Sequence, residues 1–263
     1  MIRDITIGQY YPIQSTIHNL DPRTKIIWIF IYIAALFSVD TFYGYIFVGI
    51  ILLTVISISK VPIKFMVKGL KTIMFFLVFS VVLNLFFIRG ENLIFEFGIL
   101  RIYEEGVAIA VTMIVRLVLL IIGSSILTLT TSPIRLTDGI ELLLNPLRII
   151  KVPAHEIAMM MSIALRFIPI LLEETDKIIK AQTARGADFE TGNIIRRAKA
   201  LVPILIPLFI SAFIRAEDLA QAMEARCYRG GQGRTKLNPL KFKTLDFIAL
   251  LLGVVFLSIC IYL

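Results

Sequence analysis

The stretch YGYIFVGIILLTVISIS, residues 43–59, runs for seventeen positions without a charged side chain. A helix needs about 20 mostly apolar residues to cross the hydrocarbon of a bilayer, where each backbone polar group must be paired inside the segment. Five segments qualify: about 24–40, 42–59, 69–88, 107–131 and 244–263. They predict an all-α integral membrane protein with five transmembrane helices. Composition supports this, because 58% of the residues are hydrophobic and mean hydropathy is +0.87, more than a soluble core of this length requires. Asp21-Pro22 ahead of the first span offers an N-cap and a first helical residue of fixed φ, and Asp40 must lie near an interface.

The net charge of +8 is spread between the apolar spans, without a Lys/Arg block interleaved with stacking aromatics. The basic residues therefore read as determinants of orientation in the membrane, not as a nucleic-acid surface. Arg23, Lys25, Lys60, Lys64, Lys68 and Lys71 put the N-terminus and the link between spans two and three on the cytoplasmic side. The link between spans three and four, with Arg89 and Arg101, falls outside; its IFEFGILRIYEEG alternates like a small hairpin about Phe97-Gly98. Five spans then leave the C-terminus outside in a prokaryotic cell membrane. The apolar region begins at Ile26 with no small-residue cleavage site, so no secretory signal peptide is expected.

Residues 1–131 thus form a membrane domain, 132–243 a cytoplasmic coupling domain, and 244–263 the fifth span. Within 132–243, IAMMMSIALRFIPILL (157–172) and ALVPILIPLFISAF (200–213) are apolar but proline-interrupted, and they read as too short to span comfortably. Were both to cross, Lys177, Lys180, Arg185, Arg196, Arg197 and Lys199 would lie outside, against the charge rule. A seven-span chain is the alternative. Ser132-Pro133 opens a helix that Asn145-Pro146 interrupts. Val152-Pro153 opens a long one, kinked at Pro169, which ends at Arg185-Gly186. Thr191 can cap a third, kinked by Pro203 and Pro207, which ends near Arg226.

Ala184-Arg185-Gly186 and Ala225-Arg226-Cys227 stand forty-one residues apart, and the same offset pairs Asp176 with Glu217 and Ala181 with Ala222. A basic last-turn residue before glycine is ordinary capping. Two helices ending in the same alanine-arginine pair point further, to tips that fit acidic sockets, since guanidinium grips a carboxylate through two parallel hydrogen bonds.

The chain resembles the transmembrane (T) component of energy-coupling factor transporters, the vitamin-uptake branch of the ATP-binding-cassette systems. The resemblance spans nearly the whole length: HNLDPRTK (18–25), TTSPIRLTDGIELLLNPL (130–147), VPAHEIAMMMSIALRFIPILLEETDKIIKAQTARGADFETGN (152–193), LVPILIPLF and AMEARCYRGGQGRTK (222–236). It implies five spans and a cytoplasmic coupling domain of long crossing helices. It also implies a transducer role in which Ala184, Arg185, Gly186, Ala225, Arg226 and Cys227 dock in two ABC-type ATPase subunits. Cys227 stands where the family pattern has glycine, which leaves the geometry of the second tip open; Gly230-Gly231 could absorb the turn. A membrane-embedded substrate-binding S subunit would meet an apolar face of Met159, Met160, Ile163, Phe167, Leu171, Leu205 and Phe209.

No phosphate-binding glycine loop occurs, so ATP and its Mg ion belong to partner chains and no cofactor is expected here. His155-Glu156 lacks the second histidine of a zinc helix. His18 reads as fixing the start of the first helix, and the isolated Cys227 and Cys260 carry no metal or redox spacing. Arg116 and Asn84 lie inside spans. They admit an alternative, a self-contained secondary transporter with its own intramembrane site, although such transporters show paired broken spans that this sequence lacks. Paired acids, nucleophiles or metal ligands for an intramembrane enzyme are absent from the pattern.

Overall fold

The computed structural model describes residues 10–88, 93–97, 100–187, 189, 193–231 and 238–263. The architecture is all-α apart from one two-stranded hairpin, and among the described residues five helices are long and apolar enough to cross a membrane, Ala154–Ala184 and Lys199–Ala225 among them, or six if the bent Ile63–Phe87 is one span. The described chain divides into two compact units: residues 140–239 belong to one, and residues 10–139 together with Leu240–Leu263 to the other.

In the second of these units, α1 is Pro22–Ser38. Its start follows from local chemistry: Pro22 takes the first position, and the Asp21 side chain accepts from the Arg23 N–H at 2.9 Å. Asp40 lies beyond the helix with its side chain 90% exposed. Helix α2 is Phe42–Ser59, stopped by Lys60 in the left-handed conformation at φ 57°. Helix α3, Ile63–Phe87, begins earlier than its apolar stretch, so the lysine-rich link is largely helical, and it bends by 58° between Lys71 and Ile73. Strands β1 (Leu93–Phe97) and β2 (Leu100–Tyr103) pair antiparallel, with Glu96 opposite Arg101, as the alternation predicts; Gly98 of the expected turn lies outside the described residues. Helix α4 follows over Glu104–Thr130. Helix α5 (Pro133–Leu144) runs from this unit into the other, and α8 (Thr244–Tyr262) returns to it.

Leu36, Val39, Val48, Met66, Leu129, Phe256 and Cys260 form the core where α1, α2, the start of α3, α4 and α8 meet. Gly123 lets α4 approach α1 closely, since a Cβ there would run into the Tyr32 ring. One end of this bundle is tied by the HNLDPRTK segment. Asp246, 1% exposed, accepts from the backbone N–H groups of Asp21 and Lys243, both at 2.8 Å. Arg23 bonds Asp21 at 3.0 Å and lies over the Phe242 ring. His18 is buried, with Nε2 at 3.1 Å from the Tyr11 carbonyl and Nδ1 at 2.7 Å from the Ser15 hydroxyl. Since the carbonyl only accepts, Nε2 carries the proton and Nδ1 accepts from Ser15.

In the other unit, α5 passes into a 3-10 turn at Asn145–Ile150, followed by α6 (Ala154–Ala184) and α7 (Ile194–Ala225), which pack against each other. Both helices continue through their prolines, Pro169 in α6 and Pro203 and Pro207 in α7. This corrects the expectation that these apolar stretches are too short to span: at 31 and 32 residues the helices are long enough, and only charge argues against crossing. Thr191 lies outside the described residues; Asn193 holds the position ahead of α7 and makes no side-chain capping bond.

Candidate functional site

Both long helices end in the same hydrogen-bonded motif. At the end of α6, Arg185 keeps near-helical backbone angles and Gly186 turns left-handed at φ 86°. The Gly186 N–H donates to the Thr183 carbonyl at 2.9 Å and the Ala187 N–H to Gln182 at 3.0 Å, the paired bonds of a Schellman cap. At the end of α7, the Cys227 N–H donates to Glu224 at 2.8 Å and the Tyr228 N–H to Met223 at 3.0 Å. Cys227 itself adopts φ 57°, so the turn is not deferred to Gly230-Gly231 and the second tip reproduces the first. A left-handed non-glycine residue costs about 1–2 kcal/mol, which the two cap bonds and the rest of the unit must offset.

Ala184, Arg185, Gly186, Ala225, Arg226 and Cys227 are all exposed. Among the described residues neither guanidinium takes part in an ion pair or side-chain hydrogen bond, unlike Arg215, which reaches Glu174 at 3.4 Å between α6 and α7. Each tip therefore presents a free cation beside a small residue, with its backbone amides already engaged by the cap.

Of the residues placed on an apolar contact face, Met159, Ile163, Phe167 and Leu171 recur every four positions and form one half-buried row along α6. Met160 falls off that row and is 59% exposed. On α7, Leu205 and Phe209 belong to an exposed row with Leu201 and Phe213, beside a second of Val202, Ile206, Ile210 and Ile214. Leu171, Leu205 and Phe209 line one open groove with Ile206, Leu208 and Ile210. Among the described residues, the buried hydrophobic ones from this unit are Ala154, Ala158 and Ile204 alone, so its described large apolar side chains stay largely uncovered within the chain.

Two sets of contacts escaped the sequence reading. Gln182 donates its side-chain amide to the Pro203 carbonyl at 3.4 Å. His155 sits 2.9 Å from Glu141 and 3.3 Å from the Tyr228 hydroxyl, tying the chain just past the second tip to the start of α6 and to α5. Neither has a local sequence signal, because each joins segments far apart in the chain.

Arg116 and Asn84 do not converge on a site. The Arg116 guanidinium donates to Tyr45 Oη at 2.6 and 2.9 Å, to the Val39 carbonyl at 2.9 Å and to Asp40 at 3.4 Å. It thereby fastens the turn between α1 and α2 to α4. Asn84 bonds the Ser80 carbonyl at 2.9 Å and Met113 sulfur at 3.2 Å, joining α3 to α4. Among the described residues no cluster of three His, Cys, Asp or Glu could hold a metal ion.

A family model described as "CbiQ: Cobalt transport protein" matches residues 14–237. The energy-coupling factor transporter transmembrane protein EcfT of Clostridium kluyveri is 58% identical over 262 residues, covering 99% of this chain and 97% of that protein. Its namesake in Ruminiclostridium cellulolyticum is 56% identical over 258 residues, covering 98% and 96%. The Bacillus subtilis protein of the same name is 49% identical over 240 residues, 91% of each. The chain belongs to the EcfT family, the non-catalytic transmembrane scaffold and transducer of energy-coupling factor transporters.

Proposed function

We propose that the two arginine tips, Ala184-Arg185-Gly186 and Ala225-Arg226-Cys227, dock in acidic grooves of two ABC-type ATPase subunits and carry their ATP-driven movement into α6 and α7. The supporting observation is the pair of matching caps that present exposed, unpaired guanidinium groups. A capped tip resists fraying, so displacement of the arginine moves the helix and not merely its last turn. ATP and Mg are handled by those partners. The N-terminus and the coupling region lie in the cytoplasm and the C-terminus outside, an orientation supported by the lysines of the link between α2 and α3 and by the basic residues between α6 and α7.

The uncovered apolar rows of α6 and α7, including Met159, Ile163, Phe167, Leu171, Leu205 and Phe209, with Met160 beside them, meet a membrane-embedded substrate-binding subunit. That subunit carries a vitamin or a metal ion; the cobalt in the matched family's description fits the second. Work is transmitted by differential contacts between two states, with no bond made or broken in this chain. The test is the double variant Arg185→Ala, Arg226→Ala in cells expressing the complete transporter. Loss of both ATPases from purified membranes together with loss of uptake is expected; retention of either ATPase and of uptake overturns the reading. The alternative of a self-contained transporter finds no support in Arg116 and Asn84, whose donor groups are engaged by neighbouring elements of the chain, α4 to the turn after α1 and α3 to α4.

A further inference from the structure

Apart from the tips and the apolar rows, the membrane unit contains a cavity of about 320 Å³ among α1, α2, α4 and α8. Its walls include Trp28 and Tyr32 of α1, Val55 of α2, Ile126 of α4 and Ala249 of α8. The polar side chains that these helices contribute to its lining are spent elsewhere. Lys25 directs its ammonium to the carbonyls of His18 and Thr130 and to the Thr131 hydroxyl, at 3.4, 2.9 and 3.2 Å. Tyr32 donates to the Leu119 carbonyl, Trp28 to Ala249 and Thr130 to Ile126, at 2.8, 2.7 and 2.7 Å.

A ligand with polar groups would lose its hydration here and find, beyond the Thr16 hydroxyl, no lining side chain left to pair with, and water would fare no better. Hydrocarbon suits the space. Ile58, Leu245, Ile248 and Leu252 also line it and are 46–56% exposed, so its open side is apolar and faces the medium around spanning helices. Charge identifies the rest of the molecule. Lys60 follows Ile58 by two residues, Lys243 precedes Leu245 by two, and both are exposed, as is Lys241. Asp246, the acid nearest these in sequence, is buried with both carboxylate oxygens accepting backbone N–H groups.

We propose that this cavity holds one acyl chain of an anionic phospholipid from the bilayer, whose phosphate is met by Lys60 and Lys243. Trp28 is the one tryptophan of the chain, so it reports occupancy directly. The full chain is reconstituted in phosphatidylcholine vesicles containing a minor fraction of either phosphatidylglycerol or phosphatidylcholine brominated on the acyl chain, and quenching of Trp28 fluorescence is measured. Brominated phosphatidylglycerol should quench at lower mole fraction. Changing both lysines to glutamine should shrink that preference, by about fivefold for each charge removed. Filling the space with Val55→Phe should reduce quenching by both lipids; should that variant fail to fold, Ile248→Phe at the open side serves the same purpose. Equal quenching by the two headgroups that neither lysine nor filling variants change means that Trp28 sees only bulk lipid, and overturns the proposal. So does an absence of quenching, the result expected if a side chain of another protein occupies the cavity.

Discussion

Gln182 reaches across from α6 to a carbonyl of α7 that proline leaves without its helical donor. In an unbroken helix the Pro203 carbonyl would accept from the N–H four residues on, but that residue is Pro207 and has none. The Gln182 amide supplies the missing donor at 3.4 Å, while its own carbonyl accepts the cap bond from Ala187. One residue therefore stabilises the first tip and joins it to the other long helix.

Removing that amide should matter only while the carbonyl is orphaned. Gln182→Ala is expected to cost about 0.5–1 kcal/mol, the lower part of the range for a hydrogen bond because the contact is exposed. In a Pro207→Ala background, which restores the helical N–H, the same change should cost less. A double-mutant cycle on thermal unfolding in detergent measures the difference, and equal costs in the two backgrounds would refute the pairing.

The two caps differ in one residue and should respond in opposite directions. Cys227→Gly relieves a left-handed side chain and should stabilise the end of α7 by about 1 kcal/mol. Gly186→Ala should weaken the end of α6 by a similar amount, through φ 86° alone, because a Cβ there meets nothing within 4 Å. Hydrogen exchange at the Tyr228 and Ala187 amides, each the outer donor of its cap, reads both effects.

Asp246 holds two backbone donors, so its loss should be severe. Asp246→Ala leaves the N–H groups of Asp21 and Lys243 buried or half-buried without acceptors, at about 1–3 kcal/mol each. Asp246→Asn keeps one acceptor oxygen and should cost about half as much. Melting temperature of the purified chain separates the three proteins.

His18 gives the fold a pH dependence of defined sign. Burial pushes its imidazole below the ordinary 6.5, the charge of Lys25 adds to this, and the hydrogen bond to the Tyr11 carbonyl opposes it. The unfolded chain then binds more protons than the folded one. Stability from the neutral ring is complete above 6.5 and is lost as pH falls from there through the lowered folded value. Melting temperature should therefore drop between about pH 7 and 5, and His18→Gln, which retains a donor, should flatten the drop.

Arg116 should prove structural. Arg116→Met removes one of the two donors at the Val39 carbonyl, the Tyr45 hydroxyl being the other, and leaves that hydroxyl oxygen without the guanidinium it accepts from, so the chain should lose stability while any assembled transporter keeps its substrate preference. A change in substrate selectivity on that substitution would revive an intramembrane site.

Features governed by neighbours in the chain were legible without coordinates. Asp21-Pro22 marked the start of α1, Gly186 the end of α6, and the alternation around Phe95 and Ile102 the hairpin, because capping, φ preference and period-two patterning act within a few residues. Pro169, Pro203 and Pro207 were legible as interior residues of two long helices that continue past them; what the sequence did not show is how a freed carbonyl is paired, and the Gln182 contact is one way. Cys227 could not be settled from sequence, since two conformations compete there and cap bonds decide. Asp246 with Asp21, and Arg116 with Val39, join positions 225 and 77 residues apart, where no local rule reaches.

Helices α1, α2 and α8 have only 17, 18 and 19 residues. At about 1.5 Å of rise per residue they measure roughly 26–29 Å, a little less than the ~30 Å of hydrocarbon that a spanning helix crosses. The lipid has to yield, drawing its two leaflets together around this part of the protein at a fraction of a kcal/mol per ångström. A neighbouring membrane protein of ordinary thickness meets a dimpled bilayer there, and the mismatch itself favours its coming alongside.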